Sequence, residues 1–181
     1  IEEACPLGLA PTASTAALLA LGDALAMTVL ENRPFDREDF ALYHPAGKIG
    51  RGLMKVREVM RQGEANPLVH EGETLARCVA VMTKTPGRPG AATVVDARGR
   101  LVGVFTDGDL RRLVERHRVD FEARVGDIMT RNPRTVRPEA LVGDAARVLR
   151  QAAIDQVPVV DERERPVGLL DVQDLLAAKV L

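Results

Sequence analysis

The sequence predicts a mixed α/β fold made of two copies of one β-α-β-β-α unit, and two observations support this. Residues 103–110 (GVFTDGDL) recur in modified form as residues 168–175 (GLLDVQDL). Upstream, residues 94–96 (VVD) match residues 159–161 (VVD) at the same offset. One such unit is too small to bury a good core alone, so we expect the two copies to pack on each other.

The first copy of the repeated stretch is typical of a buried strand that leads directly into a helix. Val104 and Phe105 favour a strand. Thr106 is suited to cap the helix, and Asp107 and Asp109 place negative charge in its first turn. The following apolar residues have the spacing of one buried helix face: Leu110, Leu113 and Val114.

The repeat also extends towards the N-terminus. Residues 56–60 (VREVM) match residues 125–129 (VGDIM), and an apolar helical pattern begins at Leu75 in the first copy and at Val142 in the second. The offset between copies drifts along the chain, which indicates small deletions in the loops. The sequence therefore predicts units over residues 56–118 and 125–181, preceded by a separate segment over residues 1–55.

Composition excludes several classes of function. The 181 residues carry a net charge of −1, and only 3% are aromatic, so neither nucleic acid nor a membrane surface is an expected partner. Cys5 and Cys78 lie far apart, which favours a reducing cytoplasm over a disulfide framework. No signal peptide is visible. Because the chain begins at Ile1 without Met, we interpret it as a fragment of a longer protein.

The first 55 residues predict a loop, an apolar helix and a second loop. The helix is expected from Ala16 to about Glu31, capped by Ser14 or Thr15. It is apolar around most of its circumference, which predicts burial on more than one side, although we expect much of its burial partner to be missing from this fragment. Its apolar run is too short to span a bilayer. Asp23 inside the run is either a hydrogen-bonded core residue or part of a site.

A glycine-rich loop follows, with the sequence YHPAGKIGRG over residues 43–52. Its glycines allow the backbone to approach a ligand or another chain closely. A single histidine in such a loop, here His44, is more often a surface or linker residue than a functional one. His70 and His117 lie far from it in sequence, and the three show no metal-ligand spacing.

The two repeats resemble CBS motifs, which occur in pairs known as Bateman modules. The resemblance covers about residues 56–180 and rests on the V-x-E/D-V/I-M opening, the P-V-V-D strand and the G-h-h-T-x-x-D ending. It implies a tandem CBS pair. In such modules the Thr and Asp of T-x-x-D commonly hold the phosphate and ribose of a nucleotide.

The preceding segment resembles the end of a sugar-isomerase (SIS) domain. The matching stretches are EACPLGLAPTAST over residues 3–15, LALGDALA over 19–26 and DFALYHPAGKIG over 39–50. An SIS domain followed by a CBS pair is the order found in arabinose-5-phosphate isomerases. This family interconverts ribulose 5-phosphate and arabinose 5-phosphate, an early step towards the Kdo sugar of lipopolysaccharide.

The isomerase resemblance gives His44 a role. The histidine of the family's H-P-G-G motif is an active-site residue, and this motif reads H-P-A-G here because Ala46 replaces a glycine. Imidazole can open a sugar ring by acid/base catalysis. The carboxylate base and the phosphate loop of the family lie upstream of this chain, so the fragment alone is expected to be inactive.

The CBS resemblance predicts one nucleotide site per chain. Thr106 would donate to a phosphate and Asp109 would accept the ribose hydroxyls. In the second copy Asp171 replaces the threonine and would repel a phosphate, although Asp174 is retained. The alternative is that Thr106 and Asp109 only cap a helix. The other candidate ligand-binding residues are Asp107, Arg111 and Arg112.

Three functions follow as alternatives. The chain is a nucleotide-sensing module of a sugar-phosphate isomerase, a structural CBS pair without a ligand, or a CBS pair from another host such as a dehydrogenase or a transporter. Residues 1–55 argue against the third. No cofactor is required; the expected effectors are a CMP-sugar, or AMP or ATP. We also expect a homodimer or a homotetramer.

Overall fold

A computed structural model describes residues 2–36, 39, 43 and 51–180 of the chain. It contains two compact units, Ile1–Tyr43 and His44–Leu181. Residues 44–50 of the predicted glycine-rich loop, His44 included, lie outside the described residues.

The N-terminal unit contains one long helix, α1 (Ala13–Glu31), whose first turn is capped from a distance. The Glu3 carboxylate accepts hydrogen bonds from the backbone N–H groups of Thr12 (2.5 Å) and Ser14 (3.3 Å). Hydrogen bonds from Ser14 and Thr12 lower the pKa of Glu3 to about 2. The predicted cap at Ser14 or Thr15 is therefore wrong, because an upstream carboxylate takes that role and the helix begins earlier.

The α1 helix buries none of its residues, so the predicted burial on more than one side is not observed. Leu18 and Leu25 are 69% and 60% exposed, and Asp23 is exposed as well. The helix has 19 residues and a mean hydropathy of 1.7, enough by length and composition to cross a membrane. The expectation that it is too short is thus wrong, although core helices of soluble proteins share these properties.

The C-terminal unit has a four-stranded sheet in the order β1-β2-β3-β4. Strand β1 is parallel to β2, and the other neighbours are antiparallel. In chain order its elements are β1 (Leu68–His70), α2 (Leu75–Lys84), β2 (Ala91–Val95), β3 (Leu101–Thr106), α3 (Asp107–Glu115), α4 (Val125–Ile128) and β4 (Thr130–Arg131).

The second repeat forms the same arrangement. Single bridges extend its two-stranded sheet on both sides, because Val136 pairs in parallel with Val159 and Arg61 pairs antiparallel with Leu169. The predicted α/β fold of two β-α-β-β-α units is confirmed. In chain order the elements are α5 (Val142–Ala152), β5 (Gln156–Val160), β6 (Pro166–Asp171) and α6 (Val172–Ala177).

The cores of the two repeats are interlocked. Val56 and Met60, which open the first repeat, pack in the core formed mainly by the second repeat, with residues such as Leu170. Val125 and Met129, which open the second repeat, pack in the core around Phe105. Each repeat therefore completes the core of the other, as expected for units too small to fold alone.

In this exchange, the methionine that ends the opening stretch of each repeat packs against a strand glycine of the other repeat. A Cβ atom built on Gly103 would lie 2.8 Å from Met129 Cγ and 2.9 Å from the Thr130 carbonyl oxygen. A Cβ on Gly168 would lie 2.7 Å from Met60 Sδ. In both cases a side chain on the glycine would therefore collide with the methionine of the other repeat.

Replacing Gly103 with Ala should lower the free energy of unfolding by about 1–3 kcal/mol, because the added methyl group overpacks this contact. Urea denaturation measures the change. Gly52→Ala is the control, since a Cβ at Gly52 meets no atom within 4 Å. In a Met129→Ala background the Gly103→Ala substitution should cost less. An equal cost in both backgrounds would show that Met129 does not set the glycine requirement.

The predicted apolar face of helix α3 is only partly packed against the core. Leu110 and Leu113 pack against it as expected, whereas Val114 is 55% exposed. The third residue of the predicted helix face is therefore exposed, near the end of α3 at Glu115. Cys78 is buried and Cys5 is half-buried, and both are free thiols. Burial raises the pKa of Cys78 to about 12.

Candidate functional site

A cleft of about 720 Å³ lies between the two repeats. One wall is the start of helix α3, from Thr106 to Arg112, and another is residues 132–134, which follow β4. The facing wall is residues 152–156, between the end of α5 and the start of β5. Five of the predicted ligand-binding residues line this cleft: Thr106, Asp107, Asp109, Arg111 and Arg112.

Thr106 and Asp109 form a reciprocal capping box at the start of α3. The Asp109 backbone N–H donates to Thr106 Oγ1 at 3.2 Å. In return, Asp109 Oδ2 accepts from the Thr106 backbone N–H at 2.9 Å and from Thr106 Oγ1 at 2.8 Å. Both residues therefore cap the helix as predicted, while they also line the cleft.

The second oxygen of Asp109 is also occupied. Asp109 Oδ1 forms an ion pair with Arg112 Nη2 and accepts from Thr130 Oγ1 at 3.4 Å. Asp109 is only 8% exposed, so this carboxylate depends on its protein partners for charge and hydrogen bonds.

Two other arginines are available to an anion. Arg111 and Arg134 line the cleft, and within the described part of the chain neither guanidinium forms an ion pair or a hydrogen bond.

The backbone of Asp107 is fixed by a 2.8 Å hydrogen bond from its N–H to the Gly90 carbonyl oxygen. Gly90 has a φ of +64°, and a Cβ there would lie 3.1 Å from Asp107 Oδ2.

The corresponding position in the second repeat is filled by protein. Asp171 caps α6 through a 2.8 Å hydrogen bond from the Gln173 backbone N–H. Asp174 forms a largely buried ion pair with Arg61 at 2.9 Å. The sixth predicted ligand-binding residue, Asp174, therefore does not line the large cleft but is held by a side chain from the first repeat.

Sequence reasoning missed Arg61 and Thr130, which occupy equivalent places. Each directly follows the methionine of a repeat opening and pairs with the strand of the other repeat. Thr130 donates to Asp109, and Arg61 donates to Asp174. The repeat alignment contained this signal, because both positions come immediately after the matched VREVM and VGDIM stretches.

A smaller cleft of about 270 Å³ adjoins the first and shares Gly90, Asp155 and Gln156 with it. Asp171 contributes to its wall. Both oxygens of Asp171 are used within the protein, because Gln156 Nε2 donates to Oδ2 at 3.1 Å in addition to the Gln173 bond. The charged residues of this cleft are Asp155, Asp171 and Arg88, and no threonine lines it.

Among residues 2–36, 39, 43 and 51–180, no group of three or more His, Cys, Asp or Glu residues is arranged to hold a metal ion. His44 cannot be placed relative to the cleft, since it lies outside this set. The candidate site is thus a polar cleft with cationic and anionic side chains on its walls.

Comparisons with known proteins agree with this architecture. The family model for the CBS domain matches residues 56–116 and 125–181. Arabinose 5-phosphate isomerases from Pseudomonas aeruginosa and Francisella tularensis are 45% and 37% identical over 99% and 97% of the chain. The chain spans about half the length of these relatives, 55% and 53% respectively.

Solved structures share the fold. A conserved protein from Pyrococcus horikoshii aligns with 71% of the chain and 93% of its own, at 23% identity and a TM-score of 0.62. A CBS domain protein from Pyrobaculum aerophilum, complexed with AMP, aligns with 67% of the chain and 90% of its own, at 26% identity and a TM-score of 0.60.

Proposed function

Because this chain belongs to the CBS domain family, we propose that it is the regulatory CBS pair of a sugar-phosphate isomerase and binds one nucleotide per chain. The nucleotide occupies the large cleft, between the start of α3 and residues 152–156. The observation that carries the proposal is the placement of one carboxylate, Asp109, and several arginines in a single cavity of about 720 Å³.

The charged groups divide between the two parts of a nucleotide. Asp109 accepts hydrogen bonds from ribose hydroxyls, and the phosphate lies at the start of α3 beside Thr106, whose hydroxyl donates to Asp109 Oδ2. Arg111 and Arg134, which have no partner among the described residues, bind the phosphate charge. The AMP complex of the Pyrobaculum aerophilum relative supports a nucleotide as the class of ligand.

The second repeat does not form an equivalent site. Asp171 stands in the threonine position, and Asp174 is paired with Arg61 at 2.9 Å. A phosphate there would meet the Asp171 carboxylate in place of a hydroxyl donor. This difference between the repeats supports one site per chain.

The longer protein is proposed to be an arabinose 5-phosphate isomerase, on the basis of its 45% identity to the Pseudomonas aeruginosa enzyme. In that protein, residues 1–55 would end the SIS domain and His44 would act in the isomerisation, while residues 56–118 and 125–181 would form the CBS pair. The chain alone would be inactive. The enzyme would act in the cytoplasm as a homodimer or homotetramer, in the pathway that supplies Kdo.

Two kinds of nucleotide are candidates. A CMP-sugar that carries Kdo is the downstream product of the proposed pathway and would serve as a feedback signal. AMP or ATP is the alternative, and the AMP-bound relative favours it.

Isothermal titration calorimetry of the chain with CMP, a CMP-sugar, AMP and ATP tests the proposal. We expect at least one to bind with a Kd below about 1 mM, and Asp109→Ala to weaken it roughly tenfold to hundredfold, or 1.5–3 kcal/mol. Asp144→Ala is the matched control, because its carboxylate lies outside the cleft and is 52% exposed.

A structural module without a ligand is the second candidate function, and the capping box favours it. Thr106 and Asp109 already satisfy each other through hydrogen bonds of 2.8–3.2 Å. If no nucleotide binds below about 1 mM, or if Asp109→Ala binds as tightly as the unmodified chain, the pair functions only in oligomerisation. Static light scattering then measures that assembly.

A further inference from the structure

We infer that Arg112 makes the cleft selective for phosphorylated nucleosides, because it must leave Asp109 before a ribose can bind there. This inference rests on the proposed nucleotide binding and specifies its ligand. It begins from the ion pair between Arg112 Nη2 and Asp109 Oδ1.

Asp109 has no spare capacity for a ribose hydroxyl. Its Oδ2 accepts both the backbone N–H and the hydroxyl of Thr106, and its Oδ1 accepts from Arg112 and from Thr130. The Asp109 side chain is only 10% exposed. A ribose hydroxyl therefore binds this carboxylate only by displacing one of these donors.

Arg112 is the donor that can move. Thr106 is fixed by the helix cap, and Thr130 lies on strand β4, which is paired with β3. The Arg112 side chain is long and 55% exposed, so its guanidinium can turn away without disturbing the backbone. Ribose binding thus exchanges one charged donor on Asp109 for sugar hydroxyls.

The displaced arginine needs a new anion. Arg112 lies back across the first turn of α3, where a Cβ on Gly108 would be 3.5 Å from Arg112 Nη1. The start of a helix carries partial positive charge, which disfavours a cation unless a carboxylate compensates. A phosphate on the bound ribose supplies that compensation in the place of Asp109, whereas an uncharged nucleoside leaves Arg112 with only the other carboxylates of the cleft, Asp107 and Asp155.

Arg111 and Arg134 favour a nucleotide over a nucleoside by their charge alone, without any link to the ribose contact. Neither pairs with a carboxylate among the described residues, so an anion binds them without any competing group leaving. They strengthen the binding of every anion. Arg112 alone connects the ribose contact with the phosphate contact, because it is the arginine that holds Asp109.

Calorimetry of the chain with AMP and adenosine, and with CMP and cytidine, tests the inference. The measured quantity is the selectivity ratio, the Kd of the nucleoside divided by the Kd of its nucleotide. In Arg112→Gln we expect this ratio to fall about tenfold or more, since a charge-assisted contact is lost for the nucleotide only. The nucleoside should bind at least as tightly as to the unmodified chain.

Arg116→Gln is the control with the same change of charge, at the C-cap of the same helix. Arg116 is exposed and does not line the cleft, so its selectivity ratio should stay unchanged. If Arg112→Gln weakens nucleoside and nucleotide equally, or leaves both unchanged, Arg112 does not set the selectivity and the inference is wrong. If neither nucleotide binds the unmodified chain, the proposed function itself fails.

Discussion

Replacing Arg61 with Met should lower the free energy of unfolding by about 3 kcal/mol, one of the two largest effects that the structure predicts. The substitution leaves the Asp174 carboxylate without its ion-pair partner. This is costly because the side chains of Arg61 and Asp174 are only 12% and 20% exposed. It also removes the 3.1 Å hydrogen bond from Arg61 Nη1 to the Gly87 carbonyl oxygen. Urea denaturation followed by circular dichroism measures the loss.

Two comparison variants make this result specific. Arg57→Met breaks an exposed ion pair with Glu139 and should cost less than about 1 kcal/mol. The double variant Arg61→Met with Asp174→Leu should recover most of the lost stability, because it removes the orphaned charge as well. A double variant that is as unstable as Arg61→Met would contradict the role assigned to the buried charge.

The Arg61 pair also bears on the number of ligand sites. It joins the opening of the first repeat to helix α6 of the second, over the position where a second nucleotide would need Asp174. On the proposed mode of binding, the contact that stabilises the interlocked repeats would therefore also occupy the second site. The Arg61–Asp174 ion pair would then both stabilise the packing of the repeats and limit the chain to one nucleotide.

In the proposed longer isomerase, His44→Ala should lower kcat by roughly 10²-fold or more, the usual effect of losing an acid/base group. Folding should be unaffected, since a histidine in a glycine-rich loop contributes little to a core. A coupled assay of ribulose 5-phosphate formation gives kcat, and circular dichroism checks the fold.

His70→Ala and His117→Ala are the controls, because both histidines are exposed in the C-terminal unit. Their turnover should match that of the unmodified enzyme. Normal turnover in His44→Ala would mean that His44 is a linker residue and that the isomerase resemblance assigns its role wrongly.

The repeat pattern is sufficient to predict the fold and the capping residues at the start of α3, which line the large cleft. Thr106 and Asp109 were identified from the matched stretches because helix capping depends on residues only three positions apart. Local spacing of this kind is visible in sequence. The strand glycines were visible too, but their reason was not, because Met129 and Gly103 meet only after folding.

Long-range pairing explains what sequence reasoning missed. Arg61 and Asp174 are far apart in the chain, and nothing in their local patterns indicates an ion pair. The apolar spacing of Val56 and Met60 predicts burial, but it does not say in which core. For α1, composition predicted burial, yet none of its residues is buried within the described chain, because burial depends on a partner surface as well as on the helix.

A crystal structure of the chain with AMP or a CMP-sugar is the most direct test of the central claim, that each chain binds one nucleotide beside Thr106 and Asp109. We predict density for one nucleotide in the large cleft, with ribose hydroxyls on Asp109 and the phosphate against Thr106 and the arginines. Arg112 should be turned from Asp109 to the phosphate, and the Arg61–Asp174 pair should remain intact. A nucleotide bound at Asp171 and Asp174, with the large cleft empty, would contradict the account.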